Sequence, residues 1–98
     1  MELFQAEWCP HSHRVRQRLT ELGLDFRARQ VPAEKRNRHA LDRDTGTREI
    51  PVLIAFGEIV RGDEEILAWL NERFTEQPDA GRHRAKARMD VPHFAEVR

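Results

Sequence analysis

Ninety-eight residues suffice for one small core and leave no room for a second. Charged residues make up 35% of the chain and apolar residues 39%, a polar balance that still supports a folded core rather than disorder throughout. Lys plus Arg is 17 and Asp plus Glu is 17, and this zero net charge argues against a dedicated nucleic-acid binder. The longest apolar stretch, Ile50 to Phe56, is too short to cross a bilayer. The N-terminus lacks the apolar segment of a secretory signal, so no membrane partner and no export are expected. A single cysteine, Cys9, excludes an intrachain disulfide and favours a reducing cytoplasm.

Leu3 and Phe4 in the segment Glu2 to Gln5 predict a short first strand. Pro10 suits the first turn of a helix, where its missing N–H costs nothing. Val15, Leu19 and Leu22 then recur at helical spacing, and Gly23 follows as a terminator. A helix from Pro10 to Leu22, capped by Cys9, is therefore expected. Asp25 to Val31 alternates apolar and polar residues as a half-buried strand does, and Pro32 ends it. Ala33 to Asp44 offers only Ala40 and Leu41 for burial and reads as a short, weakly anchored helix. Thr45-Gly46-Thr47 is a turn.

Ile50 to Phe56 is a continuous apolar run bounded by turn signals, as a central strand buried on both faces requires. Gly57-Glu58 turns the chain into a last strand, Ile59 to Arg61, as a hairpin. Gly62-Asp63-Glu64-Glu65 opens another helix, its acids complementing the helix dipole and Ile66, Leu67, Leu70 and Phe74 forming its apolar face. Residues from Thr75 onward have little to bury and are expected to be a loosely docked helix or mobile. The order is β-α-β-α-β-β-α, a mixed four-stranded sheet flanked by helices.

Cys9 carries the chemistry. It stands between a strand and a helix, where first-turn N–H groups and the helix dipole favour thiolate over thiol. His11, His13 and Arg14 add positive potential within the same turn. A lone cysteine also fits as a small buried hydrophobe.

Three segments in order, Cys9-Pro10-His11-Ser12, Gly46-Thr47-Arg48-Glu49-Ile50-Pro51 and Gly62-Asp63-Glu64, resemble the signatures of glutaredoxins and of the related N-terminal domain of glutathione transferases. The resemblance covers about Glu2 to Phe74. It implies a thioredoxin-like domain over residues 1–74, with residues 75–98 as a polar extension. It also implies a cis Ile50–Pro51 bond and a site for glutathione or a similar low-molecular-weight thiol, used as co-substrate rather than as a tightly bound cofactor. Cys9 is then the nucleophile, supported by Pro10, His11 and Ser12. The Ile50 backbone pairs with the cysteinyl part of the thiol, beside Pro51. Asp63 and Glu64 hold its γ-glutamyl end, and Arg48 helps hold a carboxylate. Plain helix capping also accounts for Asp63 and Glu64.

Departures refine this picture. Ser12 stands where a second cysteine would be, so the implied enzyme is a monothiol oxidoreductase acting on protein mixed disulfides and needs external thiol. His11 replaces a usual aromatic residue and Glu49 a common threonine. Glu7 replaces a basic residue and opposes a thiolate. The chain ends before the helical domain that supplies most of the second-substrate site in glutathione transferases, so transferase activity is not expected. The alternative is a non-catalytic glutathione- or protein-binding module of the same fold.

Cys9, His11 and His13 are soft ligands, but no second Cys or His pair completes a recognised spacing, so no metal is expected. His39, His83 and His93 read as solvent-exposed. Trp8 and Trp69 read as packing residues, with Trp8 able to flank the thiol. The basic run Arg82 to Arg88 reads as a solvated face, because no aromatic residues are interleaved with it.

Overall fold

The computed structural model describes residues 1–90. In chain order it contains β1 (Glu2–Gln5), α1 (Pro10–Glu21), β2 (Arg27–Gln30), a 3-10 turn (Lys35–Asn37) and α2 (His39–Thr45). Then follow β3 (Val52–Ala55), β4 (Glu58–Arg61), α3 (Asp63–Arg73) and α4 (Ala80–Asp90). The sheet order is β2-β1-β3-β4. β1 pairs parallel with β2 and antiparallel with β3, and β3 closes an antiparallel hairpin with β4. This is the thioredoxin-like arrangement that the sequence implied.

Alternation along the two central strands builds both faces of the sheet. Leu3 pairs with Leu53 and Phe4 with Val52. Leu3, Leu53 and Ala55 join Val15, Leu19 and Leu22 of the first helical segment and Ile66, Trp69 and Leu70 of α3 in the main core. Phe4 and Val52 face the other way, onto Leu41 of α2, with Val31, Ile50 and Ile54 around them. The apolar run is continuous because its strand is covered on both sides. A fully buried leucine such as Leu53 contributes about 1.5–3 kcal/mol by leaving water.

Three expectations are corrected. β2 spans only Arg27–Gln30 and is mostly exposed, because it is an edge strand paired along the four residues of β1. Its anchor is Phe26, just before it, packed on the main core. The polar segment after Pro32 is not one helix. It breaks at Arg38, which turns inward between the 3-10 turn and α2. The hairpin turns on Phe56 and Gly57, both at positive φ, one residue earlier than expected. Of the two alternatives for the extension, the described part takes the helical one: it is helical from Ala80, which is buried. His93 lies outside the described residues. Among the described residues no helix is long and apolar enough to cross a membrane.

Candidate functional site

Cys9 follows the loop that leaves β1 and caps α1 in extended backbone geometry. Its N–H donates to the Ala6 carbonyl at 3.1 Å, and its Sγ accepts the Ser12 N–H at 3.4 Å. Pro10 occupies the first turn, where it has no N–H to satisfy. Ser12 supports the sulfur through its backbone rather than its hydroxyl. The buried hydroxyl instead accepts the Ala6 N–H at 3.4 Å and pins the loop that carries Cys9.

Cys9 itself is buried, at 6% exposure, whereas the adjacent Trp8 is 64% exposed. Trp8 is therefore not a packing residue, although Trp69 is. Glu7 is answered locally: Arg16 reaches its carboxylate at 3.3 Å while also donating to the Gln5 side chain and the Ala6 carbonyl. The anion expected to oppose a thiolate thus has a cation of its own.

Two of the three cations expected to face the sulfur bond elsewhere. His11 Nδ1 lies 2.9 Å from Asp63 Oδ2, and Arg14 Nη1 donates to the same oxygen at 2.8 Å. Burial pushes the Asp63 carboxyl up, but the hydrogen bonds and charges of His11 and Arg14 outweigh it and hold the group below its ordinary value. Glu64, beside it, has a side chain 87% exposed and lies 4.0 Å from Arg14.

The three motif segments meet at one end of the sheet. The Phe4–Val52 pairing sets the exit of β1, which leads to Cys9, next to the entry of β3, which follows Ile50 and Pro51. Pro51 is buried, the Ile50–Pro51 bond is cis, and the Pro51 carbonyl accepts the Gly62 N–H at 3.0 Å, tying this segment to the start of α3. Ile50 lies outside β3, and no turn or loop backbone bond among the described residues uses its N–H or C=O.

Arg48 does not join this cluster through its guanidinium. It donates to Asp42 at 3.1 Å and to the Arg36 carbonyl at 2.8 Å, and it lies 3.5 Å from His39 Nδ1. Beneath it, buried Arg38 donates to the carbonyls of Pro32, Ala33 and Arg48. Sequence reasoning passed over Arg38, since nothing distinguishes it from the exposed arginines around it. Two concave surfaces are a groove between β4 and α3, lined by Glu58, Ile59 and Trp69 among others, and a cleft between Leu19 and Phe26. Cys9 lines neither of them.

A parallel β1–β2 pair crossed by α1, an antiparallel hairpin, and a cysteine capping α1 beside Ile50-Pro51 define a thioredoxin-like protein. The family model described as glutathione S-transferase, N-terminal domain, matches residues 3–78, and the chain belongs to this family. Among solved structures it is similar to rice GST1 (OsGSTU1) in complex with glutathione, with a TM-score of 0.67 and 29% identity over 90% of this chain. The match spans 44% of the rice chain. The curated proteins include no match.

Proposed function

We propose that this protein is a monothiol, glutathione-dependent thiol–disulfide oxidoreductase with Cys9 as its nucleophile. The carrying observation is the position of Cys9, capping α1 with the Ser12 N–H on its sulfur, at the sheet end shared with Ile50-Pro51. The Cys9 thiolate attacks the glutathione sulfur of a protein–glutathione disulfide. That S–S bond breaks, the protein thiolate leaves and takes a proton, and Cys9 carries glutathione. A second glutathione thiolate attacks the bound glutathione sulfur, releasing the Cys9 thiolate and glutathione disulfide. Ser12 has no thiol to intervene.

Ile50 presents backbone groups free of turn bonds to the cysteinyl part of the ligand. Asp63 and Glu64 mark the other end, at the start of α3. Arg48 acts by holding the segment that carries Ile50. A reducing compartment such as the cytoplasm keeps Cys9 competent.

The near-complete burial of Cys9 favours the second reading, a non-catalytic module that binds the thiol or a protein. Release of glutathione from a glutathionylated peptide, measured for wild type and Cys9→Ser, separates them. The oxidoreductase requires turnover that Cys9→Ser abolishes. Calorimetric binding of glutathione without turnover in the wild type identifies the module.

A further inference from the structure

Arg16 follows Ser12 by one helical turn of α1 and Cys9 by two, so the three share one face of the helix. Its side chain, 19% exposed, reaches back to the turn that delivers the cysteine. One guanidinium there meets three successive residues. Nη1 donates to the Gln5 side chain and to the Ala6 carbonyl at 3.4 Å, while Nη2 donates to the Glu7 carbonyl at 3.5 Å and lies 3.3 Å from the Glu7 carboxylate. The Ala6 carbonyl also accepts the Cys9 N–H, so Arg16 holds the same turn that Cys9 closes. Among the described residues, Arg16 is the one cation paired with Glu7. Of the other charged or titratable groups at this end of the sheet, His11 and Arg14 of α1 bond Asp63 of α3, Glu64 is largely solvated, and His13 lies in the first turn of α1. A bare carboxylate two residues before Cys9 disfavours a second negative charge on the sulfur, whereas a paired one presents a dipole of weaker field.

We propose that Arg16 is a positioning residue for the thiol: it holds the Glu7 carboxylate, and the turn that carries it, so that this charge does not suppress the Cys9 thiolate. The inference rests on Cys9 acting as the nucleophile. It assigns Arg16 no contact with the reacting sulfur; the effect passes entirely through Glu7.

The test alkylates Cys9 with iodoacetamide, an uncharged reagent, at about pH 7 and about pH 9, on either side of the free-cysteine value. Mass spectrometry follows the reaction in wild type, Glu7→Gln, Arg16→Gln and the double variant, with circular dichroism checking that each is folded. Arg16→Gln is expected to slow alkylation about threefold at the lower pH, the scale of one exposed charge contact, and to leave the rate nearly unchanged at the higher pH, where the thiolate forms regardless. Glu7→Gln alone should stay within about twofold of wild type, because its charge is already answered, and adding it to Arg16→Gln should restore the wild-type rate. Equal slowing of Arg16→Gln at both pH values, or a double variant as slow as Arg16→Gln, overturns the assignment alone. So does a Glu7→Gln rate about threefold or more above wild type, an outcome that is readable even if Arg16→Gln does not fold. Wild-type Cys9 that resists iodoacetamide at both pH values overturns the assignment together with the oxidoreductase reading.

Discussion

Arg84 of α4 donates to Glu21 of α1 at 2.9 Å, across 63 positions of sequence. The same guanidinium bonds Glu76, and Glu76 and Glu21 both receive Arg18. Gln77 N–H adds a bond to the Glu21 carbonyl. A polar helix with almost nothing apolar to bury is thus attached by shared charges around one buried carboxylate.

Arg84→Ala is expected to release α4 while leaving the sheet intact. Amide hydrogen exchange over residues 80–88 should accelerate at least tenfold, with the amides of β1 and β3 unchanged. Equal acceleration in both regions would show that α4 is part of the cooperative core.

The carboxylates of this network, and Asp63 at the start of α3, make stability depend on pH in acid. Glu76 is held down from 4.5 to about 2, chiefly by its hydrogen bonds to Arg84 and Arg18. Burial pushes Glu21 up, but its bonds to Arg18, Gln17 and Arg84 bring it below its ordinary value, and Asp63 behaves likewise. Groups lowered on folding contribute stability that is complete above their unfolded values and is lost as pH falls through the folded ones. Urea midpoints should therefore hold steady from neutral pH to near 4.5 and decline between there and about 2. Arg84→Ala should flatten that decline.

Arg38 satisfies three loop carbonyls around the segment leading to Ile50. Arg38→Ala strips these acceptors of their donors and is expected to cost about 2–3 kcal/mol, read by urea unfolding. Arg38→Lys restores the charge but not the three-way geometry and should recover less than half.

Ser12→Ala separates structure from chemistry. Its hydroxyl accepts the buried Ala6 N–H, so its loss should lower stability by about 1–2 kcal/mol. The Ser12 N–H on Cys9 Sγ remains, and external thiol completes the cycle. Deglutathionylation should persist within about threefold of wild type in Ser12→Ala and vanish in Cys9→Ser. An equal loss in the two variants would assign the hydroxyl a chemical role.

The helix after Cys9, the central strand and the acidic start of α3 were legible in sequence. Caps, terminators and apolar periodicity act over a few residues, so Pro10, Gly23 and the run from Ile50 carry their meaning locally. The order of the motif segments was legible for the same reason, whereas the cis bond at Pro51 followed only from the family resemblance those segments carry. Side-chain partnerships were not. His11 and Arg14 meet Asp63 only because the sheet order brings the starts of α1 and α3 together. Arg48 turns to Asp42, Arg16 to Glu7 and Arg84 to Glu21, choices among many arginines and acids that share the same charge. Sequence alone thus determined the order of the main elements and the position of the thiol, though not the break at Arg38 or the length of β2. Which charges face that thiol and which are spent on one another was decided by tertiary structure, because an ion pair depends on distance in space while a periodic pattern depends only on neighbours along the chain.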